Sequence, residues 1–124
     1  KVAPAMGEPL SVFDQLQFLE RRTTYVRVAA DVLRPVYDRS KGADGYVSIE
    51  VAPDLAYDAD GTVHSARRLW QRVGRPNVMI KVPGTPAGCD ALRRLIAAGI
   101  NCRLHLGFEV THRLVLHTRA PQWD

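Results

Sequence analysis

Lys81 is the one charged residue in the run Asn77-Val78-Met79-Ile80-Lys81-Val82-Pro83, and its setting points to amine chemistry. The run is short, rich in branched aliphatics and bounded by Pro76-Asn77 and Pro83-Gly84, so it reads as a buried strand of an α/β protein. An ammonium on such a strand is costly to bury unless it pairs or gives up its proton. The neutral amine is the form that attacks a carbonyl to make a Schiff base, which makes Lys81 a candidate nucleophile. Strand character alone leaves two other readings open: a lysine at the solvated end of the strand, or one paired to a carboxylate. Glu50, near the end of the preceding aliphatic run, supplies such a carboxylate, and a carboxyl beside a Schiff-base amine can also relay protons. Other chemistries find little support. His105, Glu109 and His112 do not have the spacing of a helical two-histidine zinc site, and His64 and His117 are isolated, so no metal is expected. Gly84 and Gly88 flank a helix start without the spacing of a phosphate-cradling loop. No serine-histidine-aspartate or cysteine-histidine set is legible.

The elements that would position these residues follow from periodicity. Residues 1–11, with Pro4, Gly7 and Pro9, form a poor element and read as a flexible arm. A helical pattern runs from Val12 to Arg39, where Pro35 must kink or restart it. Three aliphatic runs then alternate with two helical segments, an order that implies parallel strands joined by crossovers. In Tyr46–Val51, Val47, Ile49 and Val51 share one face and Tyr46, Ser48 and Glu50 the other. The next helix is expected to start near Thr62 and stop at Gly74. In the second run Val78, Ile80 and Val82 oppose Met79 and Lys81. The following helix opens at Thr85-Pro86 and stops at Gly99. In the third run Cys102, Leu104 and Leu106 oppose Asn101, Arg103 and His105. Every run thus has an aliphatic face and a face that turns polar toward its carboxyl end. In a parallel barrel helices cover the first face and the second points inward, where Glu50, Lys81, Arg103 and His105 converge. An open doubly wound sheet would cover both faces and strand those charges, so part of a barrel is expected.

Composition bounds the rest. The chain has 124 residues, 46% of them hydrophobic, enough for a single domain with a real core. No segment approaches the length of a membrane span and no apolar leader is evident, so a soluble, cytoplasmic protein is expected. The net charge of +4 invites a nucleic-acid reading. The arginines are dispersed in pairs along helical segments, however, and aromatics do not interleave with them, so no nucleic-acid partner is expected. Cys89 and Cys102 lack paired-thiol or zinc spacing and read as reduced packing residues.

The stretches Asp44-Gly45-Tyr46-Val47-Ser48-Ile49-Glu50-Val51, Ile80-Lys81-Val82-Pro83-Gly84-Thr85-Pro86-Ala87-Gly88 and Gly99-Ile100-Asn101 closely resemble transaldolase. The resemblance runs from about residue 29 to 108 and includes Asp31-Val32-Leu33-Arg34-Pro35-Val36-Tyr37 and Asp60-Gly61-Thr62. It implies a TIM-barrel enzyme of the pentose phosphate pathway that moves a dihydroxyacetone unit from a ketose phosphate to an aldose phosphate without a cofactor. Lys81 matches the family's Schiff-base lysine, and Glu50 the glutamate that works with a bound water in proton transfer. The chain departs from the family at Arg103 and His105, where an asparagine and a threonine are usual, and again at Gly107 and Glu109. Which residues would bind substrate is therefore not assigned.

A complete (β/α)8 barrel takes about 250 residues, so 124 residues supply about half of one. Residues 12–110 are expected to form a partial barrel and 111–124 a divergent tail, read as a short helix and an end segment. Three parallel strands leave two unpaired edges, so a homo-oligomer formed through those edges is expected. Two alternatives accompany the transferase reading: a non-catalytic remnant serving as an interaction module, and a Schiff-base aldolase acting on small sugar phosphates.

Overall fold

A computed structural model describes residues 11–105 and 115–118. The first helix, α1 (Val12–Arg39), is capped by Ser11, whose hydroxyl accepts from the Asp14 amide at 3.1 Å. Apart from Ser11, the expected arm lies outside the described residues. The helix continues through Pro35 to Arg39; the proline removes one ladder bond, on an exposed turn. Leu19, Val26 and Ala30 of α1 face inward.

The chain then runs through β1 (Val47–Glu50), a 3-10 turn (Pro53–Leu55), α2 (Ala59–Val73), β2 (Val78–Pro83), α3 (Pro86–Ala97), β3 (Cys102–His105) and β4 (Val115–Thr118). The three expected aliphatic runs are β1, β2 and β3, paired parallel in the order β1-β2-β3. Two expectations need correction. The second helix begins at Ala59 rather than near Thr62, because the Asp58 carboxylate caps it by accepting from Gly61 N–H at 2.9 Å. Thr62 is instead buried inside the helix and donates to the carbonyls of Leu55 and Asp58. The short helix expected after Val110 is not what residues 115–118 form. They make β4, antiparallel to β3 with Leu104 opposite Leu116. The extended Val115-Leu116-His117-Thr118 segment takes up the unpaired edge of β3, as sheet edges invite. One of the two edges expected to stay open is therefore paired. Leu106, Gly107, Glu109, His112 and the other residues around β4 lie outside the described residues.

The aliphatic face of the sheet is the core. Ile49, Val51, Val78, Ile80, Val82, Cys102 and Leu104 pack against Val63, Ala66, Leu69 and Val73 of α2 and Ala91 and Leu95 of α3. All three helices cover this face. Among the described residues no helix covers the other, which is the arrangement of barrel segments rather than of a doubly wound sheet. Asn77 ties the layers together: its buried amide donates to the Ala30 carbonyl at 2.7 Å and the Gly45 carbonyl at 3.0 Å, joining α1, the entry to β1 and the start of β2. The dispersed arginines serve the helix layer. Arg72 pairs with Glu20, Arg75 with Asp31 at 2.6 Å and Arg94 with Asp60 at 2.7 Å. The Arg75 guanidinium beside Asp31 holds that carboxyl below its usual value by hydrogen bonding. Arg27 donates to the last carbonyls of α2, Arg72 and Val73, where the helix dipole favours a cation.

The two cysteines separate cleanly. Cys89 is exposed, whereas Cys102 is buried and its thiol is pushed up to about 12 by desolvation. Iodoacetamide at pH 8 is expected to label Cys89 alone in the folded protein and both thiols in denaturant. Equal labelling of the two without denaturant would contradict the packing of β3.

Candidate functional site

The register sets out the uncovered face in rows. Glu50 is the parallel partner of Lys81, and Lys81 of Arg103, so the three occupy one row across β1, β2 and β3. Adjacent strands lie about 4.8 Å apart, so these side chains leave the sheet as neighbours. The row below holds Ser48 and Met79, and the row above Pro83 and His105. Sequence alternation predicts this convergence of Glu50, Lys81, Arg103 and His105, and the strand pairing produces it.

Side-chain contacts then cross β2 diagonally on either side of Lys81. Above it, His105 Nδ1 lies 2.9 Å from Glu50 Oε1, a bond the imidazole donates when Nδ1 carries its proton. Below it, Arg103 Nη1 donates to Ser48 Oγ at 3.3 Å. Lys81 is half-buried between these two bridges. Among the described residues no carboxylate forms an ion pair with it, and Arg103 forms none with Glu50. The structural ion pair left open for Glu50 and Lys81 is thus replaced by a carboxylate-imidazole contact. Arg22 of α1 adds a contact that periodicity does not reveal: its guanidinium donates to the Glu50 carbonyl at 2.7 Å, holding the end of β1.

Two clefts open along this face. One of about 360 Å³ lies at the carboxyl ends of the strands and is lined by Glu50, Tyr57, Pro83, Thr85 and His105 among others. The other, of about 470 Å³, lies toward the amino ends and includes Asp44, Tyr46, Ser48, Met79 and Arg103. Thr85 organises the rim of the first: its hydroxyl donates to the Ala56 carbonyl and accepts the Gly88 amide at 3.0 Å, tying the 3-10 turn to the start of α3. Nothing in the sequence singles out Tyr57 and Thr85 as site residues. Thr85 is legible only as a helix cap, and Tyr57 sits in a loop without periodicity. Among the described residues no cluster of histidine, cysteine and carboxylate side chains could hold a metal ion. Nor, among them, is any helix long and apolar enough to cross a membrane.

This arrangement presents a half-buried amine in one row with a carboxylate that contacts an imidazole, beside a cleft at the carboxyl ends of parallel strands that the carboxylate and the imidazole line and Lys81 does not. Such a set can condense with a carbonyl and move protons around the adduct.

Comparison with known proteins places the chain in a family. The family model described as Transaldolase/Fructose-6-phosphate aldolase matches residues 9–116. A transaldolase of Thiobacillus denitrificans is 56% identical over 85 residues, 68% of this chain and 24% of that protein. A transaldolase 2 of Nostoc punctiforme is 46% identical over 105 residues, 84% of this chain and 26% of that protein. A transaldolase 1 of Streptomyces coelicolor is 56% identical over 88 residues, 71% and 23% respectively. The chain spans about a quarter of the length of the curated relatives it matches. With the match extending through all three parallel strands and their helices, the chain belongs to the transaldolase/fructose-6-phosphate aldolase family.

Proposed function

We propose that the chain carries the amine part of a transaldolase-type site, with Lys81 as nucleophile and Glu50 as the proton-transferring carboxylate. The substrate is a sugar phosphate, and the reaction is cofactor-free transfer of a dihydroxyacetone unit within cytoplasmic pentose phosphate metabolism. The neutral Lys81 Nζ adds to the ketose carbonyl carbon. The carbinolamine then loses water, and the resulting iminium accepts the electrons released when the bond between its adjacent carbon and the hydroxyl-bearing carbon beyond breaks, freeing an aldose phosphate and leaving the dihydroxyacetone unit as an enamine on Lys81. Glu50 takes the proton from the hydroxyl on the departing carbon and returns it to the new alkoxide as the enamine carbon joins the acceptor aldose, and water then hydrolyses the iminium to free the product and Lys81. The observation that carries the reading is the row Glu50, Lys81, Arg103 on the one face of the sheet that no described helix covers. Borohydride reduction in the presence of fructose 6-phosphate tests it. A stable mass increase at Lys81 is expected, and its absence would count against the reading. An acceptor aldose phosphate then separates transfer from aldol cleavage.

One observation favours the second reading, a scaffold that serves as an interaction module. β4 closes the outer edge of β3 in the antiparallel sense, whereas a (β/α)8 barrel continues in parallel. Failure to trap any adduct, with the fold intact, would select it.

A further inference from the structure

Two partners compete for the Glu50 carboxylate. Lys81 is its register neighbour across β1 and β2, about 4.8 Å away at the backbone. His105 stands one row further on and two strands over, opposite Pro83. Proximity and charge favour the ammonium, yet the carboxylate turns to the imidazole, with Oε1 2.9 Å from Nδ1.

Three features hold it there. Arg22 donates to the Glu50 carbonyl at 2.7 Å and fixes the end of β1, so the direction of the carboxylate is set by side-chain rotation. Pro83, which lies between Glu50 and His105 on β2, carries no polar side-chain group that could intercept the contact. An ionised carboxylate only accepts, so the ring donates to it from Nδ1, a bond stronger than one between neutral groups. Arg103, the other cation of the row, is drawn the opposite way and donates to Ser48 Oγ at 3.3 Å.

The choice of partner matters for the amine. A carboxylate turned sideways to Lys81 would hold it in the charged form, and an ammonium cannot add to a carbonyl. Drawn onto His105, the same carboxylate lines the cleft at the carboxyl ends of the strands, where it can still exchange protons. We propose that His105 is a positioning residue that holds the Glu50 carboxylate away from Lys81, so that no ion pair locks the amine in its charged form. The inference rests on the reading of Lys81 as the nucleophile and deepens it, since His105 acts here through Glu50 alone.

Trace acetylation with acetic anhydride near neutral pH, read by peptide mass spectrometry, tests it. Only the neutral amine reacts, and Lys41, exposed in the turn after α1, is the internal reference. His105→Leu keeps a side chain of similar bulk at the end of β3 but removes the donor. Glu50 then turns to Lys81, and the ratio of Lys81 to Lys41 labelling is expected to fall roughly tenfold. His105→Asn, whose amide nitrogen is attached to Cγ as Nδ1 is, keeps a donor and is expected to hold the wild-type ratio. Glu50→Gln added to His105→Leu removes the carboxylate and restores the ratio, a rescue that disturbed packing would not give. A ratio indifferent to His105→Leu, a fall that Glu50→Gln does not reverse, or His105→Asn behaving as His105→Leu would each overturn the inference. Sugar trapping is read separately. A borohydride-stable adduct in the wild type with equal ratios in all variants overturns this inference alone, whereas the expected ratios without an adduct overturn the nucleophile reading and leave the hold of His105 on Glu50 standing.

Discussion

Lys81→Met is expected to abolish the borohydride-stable adduct with fructose 6-phosphate while leaving the fold intact. Methionine keeps the unbranched stem that crosses the half-buried face between the Glu50–His105 and Ser48–Arg103 bridges, and it removes only the amine. The chain has three lysines, Lys1, Lys41 and Lys81, so peptide mapping of the reduced adduct is unambiguous. Lys41 lies in the exposed turn after α1 and has no carboxylate-imidazole pair beside it. Lys41→Met is therefore expected to retain the adduct in full. Equal labelling of Lys41 and Lys81 would show ordinary surface amine chemistry and remove Lys81 from its proposed role.

The largest structural effect is expected from Gly88→Ala. In an exposed helix interior this change would stabilise by about 1 kcal/mol, because alanine is the better helix former. Here the sign reverses. A Cβ at position 88 would collide with the Pro83 carbonyl oxygen, a backbone atom at the end of β2 that no side-chain rotation can move aside. To relieve the clash α3 must lift away from β2, loosening the bond from the Gly88 amide to Thr85 and the Ala91 and Leu95 packing in the core. A loss of about 3 kcal/mol is expected, large against the total stability of a small domain. Gly99→Ala is the control. Its φ is +79° but its Cβ would meet no atom within 4 Å, so only the left-handed strain of about 1 kcal/mol applies. Urea midpoints that place the two variants level would refute the close approach of α3 to β2.

Much of the site was legible because β-strand alternation has a period of two. Once Val47, Ile49, Val78, Ile80, Val82, Cys102 and Leu104 are assigned to the core, Glu50, Lys81, Arg103 and His105 must share the opposite face. Register, however, is a tertiary property. Only the pairing of Glu50 with Lys81, and of Pro83 with His105, shows that the carboxylate reaches diagonally to the imidazole rather than sideways to the amine. Arg22 could not be read as a partner of β1, since 28 residues separate it from Glu50 and no periodicity links a helix side chain to a strand carbonyl. The start of α2 lies earlier than Thr62 suggests because Asp58 is an equally good cap residue. The carboxylate three residues before Gly61 makes the capping bond, and the threonine hydroxyl turns back along its own helix. The strand at 115–118 is not legible for another reason: four residues, of which only Val115 and Leu116 are apolar, carry too little pattern to tell an edge strand from a helical turn.

The order β1-β2-β3 joins each strand to its successor in the chain, which has a kinetic meaning. Each parallel pairing closes a segment of only about twenty to thirty residues, and closure entropy grows slowly with such lengths. The sheet can therefore assemble outward from its middle, one crossover at a time, with no step that waits on distant parts of the chain. β2 and β3 are each hydrogen-bonded on both sides, so their amide protons should exchange last, and the strand that bears the amine is among the last to open.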